Sequence, residues 1–394
     1  MLFVNLNQGM GLHQAALADA LYNILGKDFV FIEFGQKKNG QYGSFKNSSK
    51  GIDYYKDRPY ILKMYESKEN ERLAKELISK ADVVKTGGPL DLTYQRIKDN
   101  KLTFRSTEHI MKGPLWRDWL RILSINRKYN KVSMPNYRLL CQSANVAKEM
   151  QYCLSDWHEK CYKFAYFTKI PELNIDSIIS TRSSDKIQIV WCARFINWKH
   201  PELPLKLAKK LIDSGRCNFE IQMIGADTTP LWQKIKNKVE KEHLENHVIL
   251  TGGIPNIEVL ERMRKSHIFI FTSDRGEGWG AVLNEAMGAG CACVASNEIG
   301  AVPFLLSHKQ NGLIFKSGSV SSLFENLACL YDNPNLCAEY GRNAYSTITT
   351  DWSANVAAER LVKLSESILG GNEISFEDGP CAKAYPINTN KLLY

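Results

Sequence analysis

The sequence lacks an apolar run of the length that crosses a bilayer, which takes about 20 residues. Its first residues, MLFVNLNQGMGLHQ, have neither a basic segment nor the apolar core of about 7–15 residues that a secretory signal peptide carries. None of the ten cysteines forms a C-x-x-C pair, and several lie in apolar stretches. These absences predict a cytoplasmic protein with reduced, mostly buried thiols.

The remaining composition is that of a soluble globular protein. The chain has 394 residues, of which 44% are hydrophobic and 24% are charged, and this length predicts two domains of ordinary size. The formal net charge of +9 favours anionic partners such as phosphates, nucleotides and acidic lipids. Because no RNA- or DNA-binding module is recognisable, we do not expect a nucleic-acid partner.

The first half of the chain alternates strands and helices. A strand at 2–6, a glycine loop at 7–11, a helix at 12–25 and a strand at 29–34 form a βαβ unit, which implies parallel pairing. Further strands are predicted at 81–86, 101–107, 137–144 and 160–167, and further helices at 68–80 and 145–152. The pattern predicts a doubly wound α/β domain over residues 1–170.

The same alternation restarts after a polar linker, which we place at 171–185. Strands are predicted at 187–194, 219–225, 247–253, 267–273 and 291–296, and helices at 202–215, 230–242, 257–266 and 281–290. A second doubly wound domain is therefore expected over 186–352. A helix at 353–370 is expected to return to the first domain, and residues 371–394 are predicted to form a loosely ordered tail.

The most informative segment is FTSDRGEGWGAVLNEAMGAG at 271–290. Seven residues separate Glu277 from Glu285, and a glycine-rich turn between them leads from a strand into a helix. Such a turn directs backbone N–H groups toward one point, which suits a phosphate, and the two carboxylates can accept hydrogen bonds from sugar hydroxyls. The alternative is an ordinary glycine-rich turn with surface glutamates.

Two cations follow the first strand of the second domain. Arg194 ends that strand and Lys199 follows five residues later, so both are expected beyond the carboxyl ends of the strands, where open parallel sheets bind ligands. Arginine offers a planar fork and lysine a point charge to an anion. Gly225 and Gly252-Gly253 end two further strands, where glycine lets a ligand approach the backbone. Solvated loop charges and plain turn glycines are the alternatives.

A basic stretch with interleaved tryptophans and leucines covers 111–138. Its charged residues are Lys112, Arg117, Arg121, Arg127, Lys128, Lys131 and Arg138, against the single acid Asp118. Two interpretations stay open: a segment in a membrane interface that attracts anionic lipid, or an amphipathic helix packed on the sheet with a solvated basic face.

Five elements in order carry a resemblance that covers roughly 185–365. They are Arg194-x4-Lys199, MIG at 223–225, LTGGI at 250–254, EGWGAVLNE at 277–285, and EAMGAGCACVAS followed by a turn at Gly300. This set resembles the retaining GT-B glycosyltransferases of family 4, the glycosyl transferases group 1, of the bacterial surface-polysaccharide type. The resemblance implies two Rossmann-like domains facing a central cleft.

The resemblance also implies residue roles. Arg194 and Lys199 would bind the diphosphate of a nucleotide-sugar, Glu285 the ribose hydroxyls, and Glu277 the donor sugar. The other expected donor-binding residues are Gly9, Gly11, Gly225, Ile254, Gly278, Trp279, Gly280, Ala281 and Val282. Either His109 or Glu108, which follow a strand of the first domain, would face the reacting centre.

The implied activity is sugar transfer with retention from a nucleotide-diphosphate donor. A UDP-sugar is the first expectation and GDP-mannose the second, with a saccharide or lipid-linked acceptor at the inner face of the cytoplasmic membrane. Because the sequence has no Asp-x-Asp motif at the expected site, cations and the helix start at 280–284 are expected to stabilise the leaving phosphate without a divalent metal or other cofactor. The alternatives are a nucleotide-sugar 2-epimerase, a phosphorylase with pyridoxal phosphate, and a non-catalytic sugar-nucleotide binding protein.

Overall fold

The computed structural model describes 1–38, 41–43, 53–109, 111, 120, 123, 134–153, 157–182 and 185–394. These residues divide into two compact units, one comprising 1–169 with 352–387 and the other 170–351 with 388–394. Among the described residues, no helix is both long and apolar enough to cross a bilayer. Most of the basic stretch 111–138 lies outside the described residues, so both interpretations of it stay predictions.

The first unit is built on a seven-stranded parallel sheet. Its strands are β1 Phe3–Asn7, β2 Phe29–Glu33, β5 Ile61–Lys63, β6 Val83–Thr86, β7 Thr103–Thr107, β8 Tyr137–Cys141 and β9 Cys161–Lys163, in the order β5-β2-β1-β6-β7-β8-β9. A separate antiparallel hairpin joins β3 Gln36–Lys38 and β4 Gln41–Gly43. The helices are Leu12–Leu25, Lys68–Lys80, Tyr94–Lys98, Asn145–Cys153 and Ala354–Leu369, with 3₁₀ turns at Gly26–Asp28, Leu90–Leu92 and Trp157–Lys160.

The opening βαβ unit forms as the sequence predicts. The first helix spans Leu12–Leu25, and Gly26, at φ 56°, ends it in a backbone conformation that glycine adopts readily. β1 and β2 pair in parallel beside each other. The C-terminal helix Ala354–Leu369 packs against this first helix within the same unit.

The second unit has a six-stranded parallel sheet. Its strands are β10 Ile187–Cys192, β11 Phe219–Ile224, β12 Val248–Gly252, β13 Ile268–Phe271, β14 Ala292–Ser296 and β15 Leu313–Phe315, in the order β12-β11-β10-β13-β14-β15. The helices are Ile175–Ser180, Glu202–Asp213, Pro230–Lys241, Asn256–Lys265, Val282–Gly288, Val302–Leu305, Val320–Asp332, Pro334–Ser346 and a π-helix at Thr347–Asp351; 3₁₀ turns lie at Asn197–Lys199 and Thr389–Leu393.

Both strand orders reverse direction at one point. The chain winds outward from β1 to β5 and then restarts at β6 on the other side of β1; it does the same around β10, with β13 on the far side. In open α/β sheets, ligands bind outside the carboxyl ends of the strands at this reversal. The prediction of two doubly wound α/β domains is confirmed, and each sheet therefore has one favoured position for a site.

The C-terminal segment differs from the loosely ordered tail that its polar composition predicts. Cys381 and Ala382 are at most 2% exposed. The N–H of Cys381 donates to the carbonyl of Lys163 at 2.8 Å, and the N–H of Lys163 donates to the carbonyl of Ala382 at 2.7 Å. Since β9 is the last strand of its sheet, this pairing covers a backbone edge that would otherwise be open to other chains.

Three smaller expectations also differ from the structure. The predicted linker 171–185 contains the short helix Ile175–Ser180, and the strand predicted at 160–167 is limited to Cys161–Lys163. The strands Ile61–Lys63 and Leu313–Phe315 were not predicted. Each of these strands has only three residues, too few for a period-2 pattern to stand out.

Removal of residues 373–394 is expected to lower the melting temperature, because it exposes the edge of β9 and the surface that Cys381 covers. A loss of about 2 kcal/mol corresponds to roughly 4–8 °C for a unit of this size. Differential scanning calorimetry gives the shift, and light scattering gives the expected self-association through the open edge. Truncation after Ile387, which keeps the pairing, is the control; equal effects of both truncations would contradict the role given to this segment.

Candidate functional site

A buried ion pair stands at the reversal point of the second unit. Lys199 ends the 3₁₀ turn after β10, and Glu277 lies in the turn after β13; the two strands are neighbours. The Lys199 ammonium donates to Glu277 Oε2, and the two residues are only 7% and 8% exposed. Burial lowers the pKa of Lys199, and the Glu277 carboxylate opposes this shift. The glutamate thus helps the buried lysine to keep its charge.

Aromatic rings surround this cation. Lys199 Nζ lies 4.3 Å from the ring centroid of Trp198 and 5.6 Å from that of Phe271. The exposed guanidinium of Arg194 lies 5.8 Å from the same Trp198 ring, and its charge also lowers the pKa of Lys199. Two cations therefore share one tryptophan, in an arrangement that an anion between them would stabilise.

Hydroxyl groups hold both members of the pair in place. Ser273 Oγ donates to Glu277 Oε2 at 3.1 Å. Thr272 Oγ1 donates to the carbonyl of Lys199 at 2.6 Å and accepts from the indole N–H of Trp191 at 2.8 Å. All these groups are buried, where hydrogen bonds fix positions strongly because water does not compete.

His200 clamps the turn that carries Glu277. Its backbone is left-handed, at φ 50°, and its ring contacts Asp274 Oδ2 at 3.0 Å and Glu202 Oε1 at 3.1 Å. Asp274 in turn accepts from the N–H of Gly276 at 2.7 Å. The hydrogen bonds to Asp274 and then Glu202 raise the pKa of His200 to about 9. Sequence reasoning missed His200, although it directly follows Lys199.

Glu285 reaches the same strand end from the helix Val282–Gly288. Asn256 Nδ2 donates to its Oε1 at 3.1 Å, and burial raises the pKa of the Glu285 carboxyl. Burial also raises the pKa of Cys192, the last residue of β10, to about 12, with Glu285 adding to the shift and Lys199 opposing it. Glu285 and Lys199 therefore both lie within electrostatic reach of Cys192.

The glycine-rich turn is shaped by packing. Gly280 has φ +88°, and a β-carbon there would lie 2.6 Å from the Phe271 ring. Trp279 is 1% exposed, and its indole N–H donates to Asn284 Oδ1 at 2.9 Å, so its side chain belongs to the core. The helix that follows, Val282–Gly288, has only seven residues. Its short length limits the macrodipole that was expected to stabilise the leaving phosphate.

The glycines at the other strand ends have structural reasons of their own. A β-carbon on Gly225 would lie 2.1 Å from the carbonyl oxygen of Ala193, and Gly252 has φ +77°. Ile254 is half-buried just beyond them. Backbone packing therefore requires glycine at position 225, and the left-handed conformation favours it at position 252.

The remaining predicted residues belong to the first unit. Gly9 and Gly11 are buried, and the carbonyl of Gly11 accepts from the N–H groups of Gln14 and Ala15 at 3.0 Å, at the start of the first helix. His109 is 4% exposed, whereas Glu108 lines a cavity. Of the two candidates after β7, Glu108 is the one in contact with open space.

Residues 175–347 match the model of the family described as glycosyl transferases group 1. The matched residues lie within the second unit, which spans 170–351 and 388–394. A curated relative, an uncharacterized glycosyltransferase of Methanocaldococcus jannaschii, is 25% identical over 216 residues, which are 53% of this chain and 52% of that protein. The chain thus spans about half the length of this curated relative.

Two solved structures have a similar fold over most of this chain. The glycosyltransferase from Rickettsia africae has a TM-score of 0.66 at 17% identity and covers 93% of this chain and 98% of its own. Anabaena HepE in complex with UDP has a TM-score of 0.66 at 13% identity and covers 93% and 100%; HepE is also known in complex with UDP and glucose. At these identities the likeness establishes the GT-B fold.

We expect the turn held by His200 to loosen as pH rises. The folded-state pKa of about 9 lies above the ordinary value of about 6.5, so the stabilisation is complete below pH ~6.5 and is lost as pH rises through about 9. His200→Asn, which tolerates the left-handed backbone, should cost about 1–2 kcal/mol at pH 6 after allowance for solvent screening, and much less at pH 10.

Urea denaturation of both proteins at the two pH values measures this difference. The control is His243→Asn, at another left-handed histidine, which shows what the substitution itself costs at such a backbone position. A loss of unfolding free energy in His200→Asn that does not change with pH would contradict the stabilising role given to the His200 contacts.

Proposed function

We propose that this protein transfers a sugar from a nucleotide-diphosphate donor to a saccharide or lipid-linked acceptor. The observation that carries the proposal is the buried Lys199–Glu277 pair beside Arg194 at the reversal point of the unit that matches the glycosyl transferases group 1 family. A buried charge is costly unless a partner compensates it, and here the lysine lies where an α/β sheet binds ligands. The proposed partner is the diphosphate of the donor.

The Lys199 ammonium can serve both anions at once. It has three donor hydrogens, and one is directed at Glu277. A phosphate oxygen can accept a second, while the guanidinium of Arg194 offers a planar fork to another pair of oxygens. A diphosphate held in this way adds negative charge beside two cations that repel each other when no ligand is bound.

Glu285 and Glu277 are proposed to recognise the two sugars of the donor. One oxygen of Glu285 accepts from Asn256, and a carboxylate has about four acceptor positions, so ribose hydroxyls can use the others. Glu277 is oriented by Lys199 and Ser273, and its remaining acceptor positions suit a hydroxyl of the transferred sugar. We infer UDP-sugar as the first donor candidate, since the similarly folded Anabaena HepE is known in complex with UDP, and GDP-mannose as the second.

The charges also define the chemistry of the step. Cleavage of the bond between the anomeric carbon and the donor phosphate leaves developing negative charge on that phosphate. In this proposal Lys199, held by Glu277, lies beside that charge together with Arg194, and a preorganised cation lowers the barrier without rearranging during the reaction. We propose metal-independent transfer with retention, by displacement on the face from which the phosphate leaves, in surface-polysaccharide synthesis.

We expect Glu285→Ala to weaken UDP binding about 10–100-fold, because a hydrogen bond to a charged group contributes about 1.5–3 kcal/mol. Glu277→Gln should lower turnover at least tenfold and should cost turnover more than UDP affinity, since UDP carries no transferred sugar. Glutamine is chosen because alanine would leave Lys199 buried and unpaired, at a cost of about 3–5 kcal/mol.

Isothermal titration calorimetry with UDP, GDP and ADP, followed by a panel of sugar donors, measures both effects. Glu245→Ala, at an exposed residue of the same unit, is the matched control and should leave binding and turnover unchanged. Full UDP affinity in Glu285→Ala together with full turnover in Glu277→Gln would refute the proposed site.

A further inference from the structure

A cavity lies wholly within the first unit, at the reversal point of its sheet. It has a volume of about 220 Å³ and is bordered by the ends of β1, β6 and β7 and by the start of the helix Leu12–Leu25. Asn5 of β1 and Lys85 of β6 are partners in the parallel register, so their side chains leave the same face of the sheet side by side. Pockets of drug-sized ligands are larger, about 300–1,000 Å³; this one suits a single small ring.

Lys85 contributes a buried cation to this cavity. It is 4% exposed, and within the described part of the chain it makes no hydrogen bond or ion pair; its Nζ lies 5.7 Å from the Phe164 ring centroid. Burial alone lowers the pKa of Lys85, to about 8, so the amine is still mostly protonated at neutral pH. A buried ammonium group without an anion is costly, and an anionic ligand would remove that cost.

Three polar atoms around Lys85 also lack partners. Asn5 Oδ1, Ser106 Oγ and His13 Nδ1 are buried and make no hydrogen bond in the described structure. All three residues line the cavity. Because native proteins satisfy nearly all buried polar atoms, three such atoms beside an unpaired lysine indicate a ligand with several donors and acceptors.

The carboxylate on the cavity wall does not neutralise the lysine. Glu108 accepts from the Tyr166 hydroxyl at 2.6 Å. Burial lowers the pKa of His13, and Glu108 opposes that shift, whereas Glu108 contributes nothing to the shift of Lys85. The cavity therefore has a positive side at Lys85 and an acceptor side at Glu108, an arrangement for a ring that carries both an anion and hydroxyls.

We propose that this cavity binds one sugar ring bearing a carboxylate or a phosphate, with the anion at Lys85 and ring hydroxyls at Asn5, Ser106 and His13. The identification of this ring as part of the acceptor rests on the proposed transfer function. Binding itself does not, because every residue involved belongs to the first unit.

The test is calorimetric titration of the full-length protein with glucuronate, glucose 6-phosphate, glucose and inorganic phosphate. At least one charged sugar should bind about tenfold or more tightly than both glucose and phosphate. Lys85→Met should abolish that preference. The control Lys75→Met, at an exposed lysine paired with Glu71, should keep it.

Two further readouts separate binding from folding and from donor recognition. Lys85→Met should be at least as stable as the wild type in urea, since it removes an unpaired buried charge, and its UDP affinity should be unchanged. Glucuronate and glucose 6-phosphate distinguish a carboxylate from a phosphate ligand. Equal binding of glucose, a preference that survives in Lys85→Met, or no sugar binding would overturn the inference. Absent UDP binding in the wild type would instead contradict the proposed function.

Discussion

A buried ammonium group needs an anion beside it, and in the second unit Lys199 obtains one from Glu277. The surrounding structure holds the two side chains of this pair in position. Thr272 holds the backbone of the lysine, Ser273 holds the carboxylate, and the His200–Asp274 contact fixes the turn between β13 and Glu277. The Thr272 and His200–Asp274 contacts join the segment after β10 to the segment after β13, at the point where the strand order reverses. The Ser273 contact orders the segment after β13.

The two units reverse their strand order in the same way, but they differ in whether the buried lysine at that point has an anionic partner. Each places a buried lysine at its reversal point, because a polar side chain at that position faces a crevice instead of the layer of helices. Lys199 has a carboxylate partner within the protein, whereas Lys85 has none among the described residues. In the proposals above, Lys199 binds a diphosphate in addition to Glu277, whereas Lys85 obtains an anionic partner only from a ligand.

Much of the fold was predictable, since helices and strands of ordinary length carry their period in the sequence. The helix Leu12–Leu25 was predicted at its observed bounds. Arg194 and Lys199 were identified as one short motif after a strand, and Glu277 and Glu285 as another. The structure brings them to one strand end.

Other parts could not be read from the sequence. Asn5 lies 80 positions before Lys85, and Ser106 lies 21 positions after it; only strand pairing brings the three together. His200 gains its role from a left-handed backbone and from two carboxylates, one of them 74 positions away. The segment around Cys381 looked like a polar tail because its partner is the backbone of β9, and backbone pairing leaves little trace in side-chain composition.

The central claim is that the second unit binds a nucleoside diphosphate at the Lys199–Glu277 pair. A crystal structure of the protein with UDP tests it most directly. We expect phosphate oxygens within hydrogen-bond distance of Lys199 Nζ and the Arg194 guanidinium, and the ribose hydroxyls at the Glu285 carboxylate. UDP bound elsewhere, with no contact between its diphosphate and Lys199, would contradict the account.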